Sequence, residues 1–260
     1  MDKRVAIVTG AGQGIGRRTA EVLAARGYSL ALNDIRPIQG TLGAETIEVL
    51  GDVSSESDVA RIALAVEQHY GQVDLLVNNA GISFIRPAEE TGAEEWRRVL
   101  EVNLTGPFLM CRAFGKMMLA RGSGAIVNVA SVAGLAGIGD RAAYNASKHG
   151  LIGLTRTLAS EWGGRGVRTN AVCPGWVKTE MDEADQAGGF YSDADIENRV
   201  PMGRFARPNE IAEAIAFLAD PALSGFVNGM ELRVDGGWPT EVGTASASII
   251  AGHRSRPILP

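Results

Sequence analysis

Residues 3–27 limit the possible folds of this chain more than any other stretch. Val5, Ala6, Ile7 and Val8 form a short apolar run, and glycines follow at positions 10, 12, 14 and 16. Ile15, Ala20, Leu23 and Ala24 then recur at helical spacing, and Gly27 ends the stretch. The pattern predicts a strand, a tight turn and a helix. Glycine at such a turn admits positive φ and lets a ligand approach the backbone, while the free N–H groups of the helix's first turn suit a pyrophosphate. A glycine string alone would be weak evidence. Here a second apolar run follows at residues 29–33, and an acid, Asp34, lies about twenty residues past the middle glycine, the context of a dinucleotide-binding βαβ unit.

The rest of the chain repeats the alternation. Further strands are predicted at residues 47–50, 73–77, 124–129, 167–173 and 231–234. The loop after Asp34 carries Pro37, Gly40 and Gly43, so no full helix is expected there. Helices are predicted from a Ser54 or Ser55 cap to Tyr70, with Gly71 as the stop, and from Ala93 past Val102. Pro107 argues for a break or a new first turn, with Thr105 as candidate cap. Helices at 108–119, 141–162 and 210–218 follow. Residues 180–207 are acidic, polar and glycine-bearing, without a periodic apolar face, which predicts a mobile flap. Seven apolar runs alternating with helices predict an α/β fold: a doubly wound parallel sheet of seven strands in three αβα layers, with the strands' carboxyl ends along one edge. Residues 1–238 are read as one domain, and 239–260, rich in Ala, Ser, Gly and Thr, as an extension on it.

Composition narrows the function. The 260 residues suit one α/β domain. A net charge of -5 without a Lys/Arg block argues against a nucleic-acid partner, and no uninterrupted apolar window is long enough for a membrane span. Cys111 and Cys173 make no disulfide framework, so a reducing, cytoplasmic setting is expected. The first strand begins at once, leaving no expected room for a signal peptide before the fold. His69, His149 and His253 form no Cys/His cluster at ligand spacing, so no metal is expected.

Chemistry concentrates in four residues on the strand-end edge: Asn103, Ser131, Tyr144 and Lys148. Tyr144 and Lys148 form YxxxK, and a spacing of four puts both side chains on one helix face, about 6 Å apart along the axis. An ammonium beside a phenol is expected to lower the tyrosine's pKa toward the range of a general base. A YxxxK alone means little. Its weight comes from Ser131 thirteen residues earlier and from the nucleotide turn.

Taken in order, TGAGQGIG at residues 9–16, Asp52 before Val53, NNAG at 78–81, Asn103, Ser131, YNASK at 144–148, and Pro174-Gly175 with Thr179 resemble the short-chain dehydrogenase/reductase family over residues 4–237. The resemblance implies a Rossmann-type domain with strand order 3-2-1-4-5-6-7, a nicotinamide cofactor, and hydride transfer to or from a carbonyl or alcohol carbon. It implies Tyr144 as acid/base, Ser131 as the group orienting the substrate oxygen, Lys148 as ribose ligand and tuner of the tyrosine, and Asn103 as anchor of a water relay. It places the cofactor on Gly10, Gln13, Gly14, Ile15, Gly16, Asp34, Asp52, Val53, Asn79, Ala80, Gly81, Tyr144, Lys148, Pro174, Gly175, Val177 and Thr179. A homotetramer is implied as well.

Asp34 favours NAD over NADP, because a carboxylate accepts from ribose hydroxyls and repels a 2′-phosphate. Ser83, Arg86, Ile138 and Trp176 are candidate substrate-pocket residues. Their mixture of walls and polar groups points to a small polyol, sugar or hydroxy-ketone. The alternatives are a 3-oxoacyl-thioester (acyl-carrier-protein) reductase using NADPH and, from another class, a non-catalytic nucleotide-binding scaffold. The scaffold would be expected to lack one of Ser131, Tyr144 or Lys148, and none is missing.

Overall fold

A computed structural model describes residues 3–40 and 42–238 of the protein. The expected extension, 239–260, lies outside the described residues. Strand β1 (Val5–Thr9) is buried along its whole length, and its side chains alternate between two cores. Ala6 and Val8 pack against α1 (Gly14–Ala25) and α8 (Pro208–Ala219) through Leu23, Ile211 and Ile215. Val5 and Ile7 face the other way, onto α2 (Glu56–Tyr70) and α4 (Gly106–Arg121) through Ile62, Phe114 and Met118. An apolar run without polar alternation fits such a strand, because both of its faces are covered.

The seven strands are parallel, in the order β3-β2-β1-β4-β5-β6-β7. Strands β2 (Ser29–Asn33), β3 (Thr46–Glu48), β4 (Leu75–Asn78), β5 (Gly124–Val129), β6 (Val167–Pro174) and β7 (Glu231–Val234) match the predicted runs within a few residues. No helix separates β2 from β3 among the described residues, as the Pro/Gly loop implies. Strand order reverses between β1 and β4, and the crevice at the carboxyl ends there is where this architecture binds ligands.

Two expectations need correction. Thr105 caps nothing: its backbone is helical (φ -63, ψ -42), and the chain runs from α3 (Ala93–Leu100) through a π turn, Glu101–Thr105, into α4 without a break. Pro107 falls in the first turn of α4, where a proline's missing N–H costs little. The flap, in turn, is not bare of regular structure or of buried apolar contacts. It folds as α6 (Glu180–Ala187) and α7 (Asp193–Glu197), and it buries Tyr191, Ile196, Val200 and Phe205 against Ile85, Val132 and Trp238. Those apolar positions span two short helices and their loops, so no single period marks them. Fully burying Ile196 alone contributes about 1.5–3 kcal/mol.

Candidate active site

One cleft runs along the carboxyl edge from Asp34 and Asp52 past the glycine turn to Ser131, Tyr144 and Lys148, and ends at Trp176 and Tyr191. Gly10, Gln13, Gly14 and Ile15 line its middle. Gly10 and Gly14 have φ of 62° and 55°, the left-handed region that favours glycine. Gln13 precedes α1 without a side-chain cap, and no acid stands in the first turn, so the helix's first N–H groups remain available for an anion. These features fit a dinucleotide's pyrophosphate. Gly16 differs from the expectation: it does not line the cleft, and a Cβ there would sit 2.1 Å from the Gly10 carbonyl oxygen. It closes the turn against the helix instead.

At one end of the cleft, Asp34 accepts hydrogen bonds from the N–H of Gly12 at 3.0 Å and of Arg36 at 3.2 Å. Arg36 Nη2 donates to Gln13 Oε1. Arg17 and Arg18, the other cations nearby, both pair with Glu21, and they donate to the Gln39 carbonyl and to Asn209 respectively. Asp52 accepts from Ser54 and from Arg98 Nη2 at 2.8 Å. Burial would raise its pKa, but those hydrogen bonds outweigh burial and hold the carboxyl below its ordinary value. Val53, Asn79, Ala80 and Gly81 line the neighbouring wall. Asn79 donates to the Thr9 and Gly10 carbonyls, while Asn78 ties β4 to β5 through Asn128 at 2.8 Å.

Toward the other end, Ser131 follows β5, and α5 (Ala142–Trp162) carries Tyr144 and Lys148 on one face. All three line the cleft, with Pro174, Gly175, Val177 and Thr179 along the side beyond β6. Asn103 does not line it. The side chain is fully buried in the π turn, where its amide exchanges hydrogen bonds with Ile82 at 2.9 and 2.8 Å and donates to Ser147 at 3.1 Å. Asn103 therefore fixes the loop beside Gly81.

The expected lowering of the Tyr144 pKa is overturned. Burial pushes the phenol up, and a hydrogen bond from Ser131 recovers only part of the shift. Lys148 is itself drawn down to about 8 by burial, and its Nζ donates to the Val129 carbonyl at 2.8 Å. An ammonium already desolvated and engaged elsewhere has less influence on the phenol than helical spacing alone suggests.

Ile138 and Trp176 line the substrate end as expected. Two other candidates do not. Arg86 lies outside the cleft and pairs with Glu95 at 3.2 Å. Ser83 stands behind the wall and accepts from Arg141 Nη1 at 2.6 Å. That arginine, with Asp182 and Asp185, also lines the cleft, and residue spacing does not single them out. The one sequence signal for Arg141 is its place three residues before Tyr144, just ahead of α5. Trp176 packs edge-on against Tyr191 at 4.7 Å, and Tyr191 donates to Asp182 at 2.8 Å. Among the described residues no cluster of His, Cys, Asp or Glu is arranged to hold a metal, and no helix is long and apolar enough to cross a membrane.

The profile of a family described as enoyl-(acyl carrier protein) reductase matches residues 10–239. The chain is 42% identical to the D-threitol dehydrogenase of Mycolicibacterium smegmatis over 92% of this chain and 94% of that one. It is 37% identical to the 3-oxoacyl-[acyl-carrier-protein] reductase of Synechocystis over 90% of this chain and 96% of that one. Levodione reductase has the same fold, with a TM-score of 0.83, 36% identity, and coverage of 90% and 95% of the two chains. With the seven-stranded parallel sheet and a cleft at its switch point, these similarities place the chain in the short-chain dehydrogenase/reductase family of nicotinamide-dependent oxidoreductases.

Proposed function

We propose that the protein is an NAD(H)-dependent dehydrogenase that moves hydride between the cofactor and a secondary alcohol or its ketone, with a small polyol, sugar or hydroxy-ketone as substrate. The observation that carries the cofactor choice is the Asp34 carboxylate, which lines the cleft beside the glycine turn while Arg17 and Arg18 are drawn away by Glu21. A 2′-phosphate there would meet negative charge.

The nicotinamide, when bound, supplies or takes up the hydride. Everything else falls to the chain. Tyr144 Oη takes the hydroxyl proton during oxidation and returns it during reduction, and Ser131 Oγ donates to the same oxygen. Lys148 holds the ribose, and its charge opposes the burial that keeps the phenol protonated. Asn103 keeps the Gly81–Ile82 backbone in place beside them.

A polar substrate suits the far end of the cleft, where Arg141, Asp182, Asp185 and the Tyr191 hydroxyl stand among the walls. A long acyl chain would need a continuous apolar channel. Similarity to D-threitol dehydrogenase supports the same class. Similarity to the Synechocystis reductase favours a second reading, an NADPH-dependent 3-oxoacyl-thioester reductase. That reading calls for free cations at the 2′-phosphate and at the docking face, whereas Arg86 is paired with Glu95 and Lys178 with Asp182 and Asp193. A non-catalytic scaffold is the weakest reading, because Ser131, Tyr144 and Lys148 all face one cleft. The setting proposed is a cytoplasmic homotetramer, for which a monomeric mass in solution would be the contrary result. Initial rates on alditols, hydroxy-ketones and 3-oxoacyl thioesters, each with NAD(H) and NADP(H), test the function. Higher kcat/KM on the thioesters with NADPH would replace the first reading with the second.

A further inference from the structure

Arg141 is 6% exposed, yet it lines the substrate end of the cleft. It is the residue immediately before α5, with non-helical backbone angles (φ -130°, ψ 38°), and it precedes Tyr144 by three residues at the same end of the cleft. Its guanidinium is held from behind by two partners on different elements. Nη2 donates to Asp185 Oδ2 of the flap helix α6 at 2.6 Å, and Nη1 donates to Ser83 Oγ, in the loop after β4, at 2.6 Å. The Trp176 ring centre lies 5.7 Å away. A guanidinium has five N–H bonds. Asp185 and Ser83 take two of them, and Nε is buried with no partner among the described residues. The Trp176 indole N–H, in the same wall, is likewise buried without a partner. Burying an arginine and leaving donors unsatisfied costs stability, so a purely structural ion pair would be expected to satisfy more of them.

The backbone is also bent to place this side chain. Asp140, immediately before Arg141, has φ of 59°, the single non-glycine residue with positive φ among those described. Its carbonyl accepts the Arg86 N–H at 2.7 Å. Strain of this sort persists where the surrounding structure fixes it, and it gathers at functional sites. After burial and the Ser131 hydrogen bond, the next influences on the Tyr144 phenol are Arg141, which lowers its pKa, and Asp185, which raises it. The two ends of this arrangement are therefore in electrostatic contact.

We propose that Arg141 is the residue that reads the substrate: it donates to a hydroxyl oxygen carried about two or three carbons from the carbon that exchanges hydride. The proposal rests on the alcohol-dehydrogenase reading above. The separation follows from the two anchors: Tyr144 takes the reacting oxygen, while the Arg141 guanidinium is tied back to Ser83 and Asp185 beside Trp176 and so meets a hydroxyl further along the substrate.

Butan-2-ol and butane-1,3-diol differ by one hydroxyl at that distance, and their NAD-dependent oxidation isolates the contact. The unaltered protein is expected to prefer the diol by about tenfold or more in kcat/KM, because a site built to hydrogen-bond a hydroxyl rejects the analogue lacking it. Arg141→Met is expected to bring the ratio close to one, and Arg141→Lys to restore part of it. NADH binding, followed by fluorescence, reports whether Arg141→Met still folds. If it does not, the ratio in Arg141→Lys decides, and a ratio equal to that of the unaltered protein overturns the assignment. An unchanged ratio in a folded Arg141→Met, or an equal fall on both alcohols, overturns it as well. An unaltered protein that oxidises neither alcohol with NAD fails the alcohol-dehydrogenase reading first, and the Arg141 assignment with it. An unaltered protein whose diol preference survives in Arg141→Met fails the assignment alone.

Discussion

Lys148 Nζ lies 5.5 Å from the centre of the Tyr144 ring and donates its hydrogen bond to the Val129 carbonyl. Burial lowers the lysine's pKa from 10.5 to about 8, so the unfolded chain holds that proton more tightly than the fold does. Stability tied to this group is present above 10.5 and is lost as pH falls through 8. Lys148→Met removes the titration. On going from about pH 9.5 to about pH 7 the variant is expected to gain about 2 kcal/mol relative to the unaltered, cofactor-free protein. Denaturant melts at the two pH values check this, and parallel pH dependence of the two proteins would refute it.

Tyr144→Phe leaves the ring and removes the titrating hydroxyl. Hydride transfer is expected to fall by about 10²-fold or more, with folding and NADH binding retained. In the unaltered protein, alcohol oxidation is expected to rise with pH beyond neutrality, because burial raises the phenol's pKa and only the deprotonated oxygen accepts the substrate's proton. Steady-state rates on both proteins across the pH range test both statements. A Phe variant keeping more than roughly a tenth of the activity would remove Tyr144 from the acid/base role.

What could be read from the chain divides along physical lines. Strands such as Val5–Thr9 and Gly124–Val129 are buried on both faces, so an uninterrupted apolar run announces them. The nucleotide turn was legible for a similar reason, since Gly10 and Gly14 adopt backbone angles that favour glycine. The flap's core was hidden because Tyr191 and Ile196 pack against Ile85 and Trp238, which are far away in sequence. The buried Arg141–Asp185 pair joins residues 44 positions apart, and no local pattern encodes it. The π turn that replaces the expected Thr105 cap accompanies Asn103's bonds to Ile82 and Ser147, which are tertiary contacts too.

Glu180 opens the flap helix and lines the cleft, and its carboxylate would lie 3.3 Å from a Cβ placed on Gly14. It therefore stands close to the start of α1, where the uncapped N–H groups attract an anion. A pyrophosphate bound there meets that negative charge or displaces it. Glu180→Gln is expected to tighten NADH binding by about two- to fivefold at low ionic strength, corresponding to a like-charge term of about 0.3–1 kcal/mol near a helix end. The gain should shrink as salt screens it. Titration by NADH fluorescence at two salt concentrations tests this, and an unchanged or weaker affinity at low salt counts against it.

The last prediction concerns Asp34, whose carboxylate serves two ends. Oδ2 accepts from the Gly12 N–H at 3.0 Å, and a Cβ on Gly12 would come within 2.9 Å of that same oxygen, so the carboxylate is fixed against the turn. Lone pairs remain on both oxygens for ribose hydroxyls. A 2′-phosphate would bring negative charge against it, and the nearby cations offer little relief. Arg17 and Arg18 are paired with Glu21, and Gln13, the residue before Gly14, carries no charge. Arg36 is exposed and tied to Gln13 only at 3.2 Å, so it is the cation most readily turned toward a phosphate once Asp34 is gone. Asp34→Ser keeps a small hydrogen-bonding group and removes the charge. It is expected to raise kcat/KM with NADP by at least about tenfold and lower it with NAD, since a close like-charge contact is worth more than 1.4 kcal/mol. Asp34→Ser combined with Arg36→Ala should lose most of the NADP gain while leaving the NAD loss in place. Preference for NADP in the unaltered protein would reverse the assignment and move the functional choice to the thioester reductase.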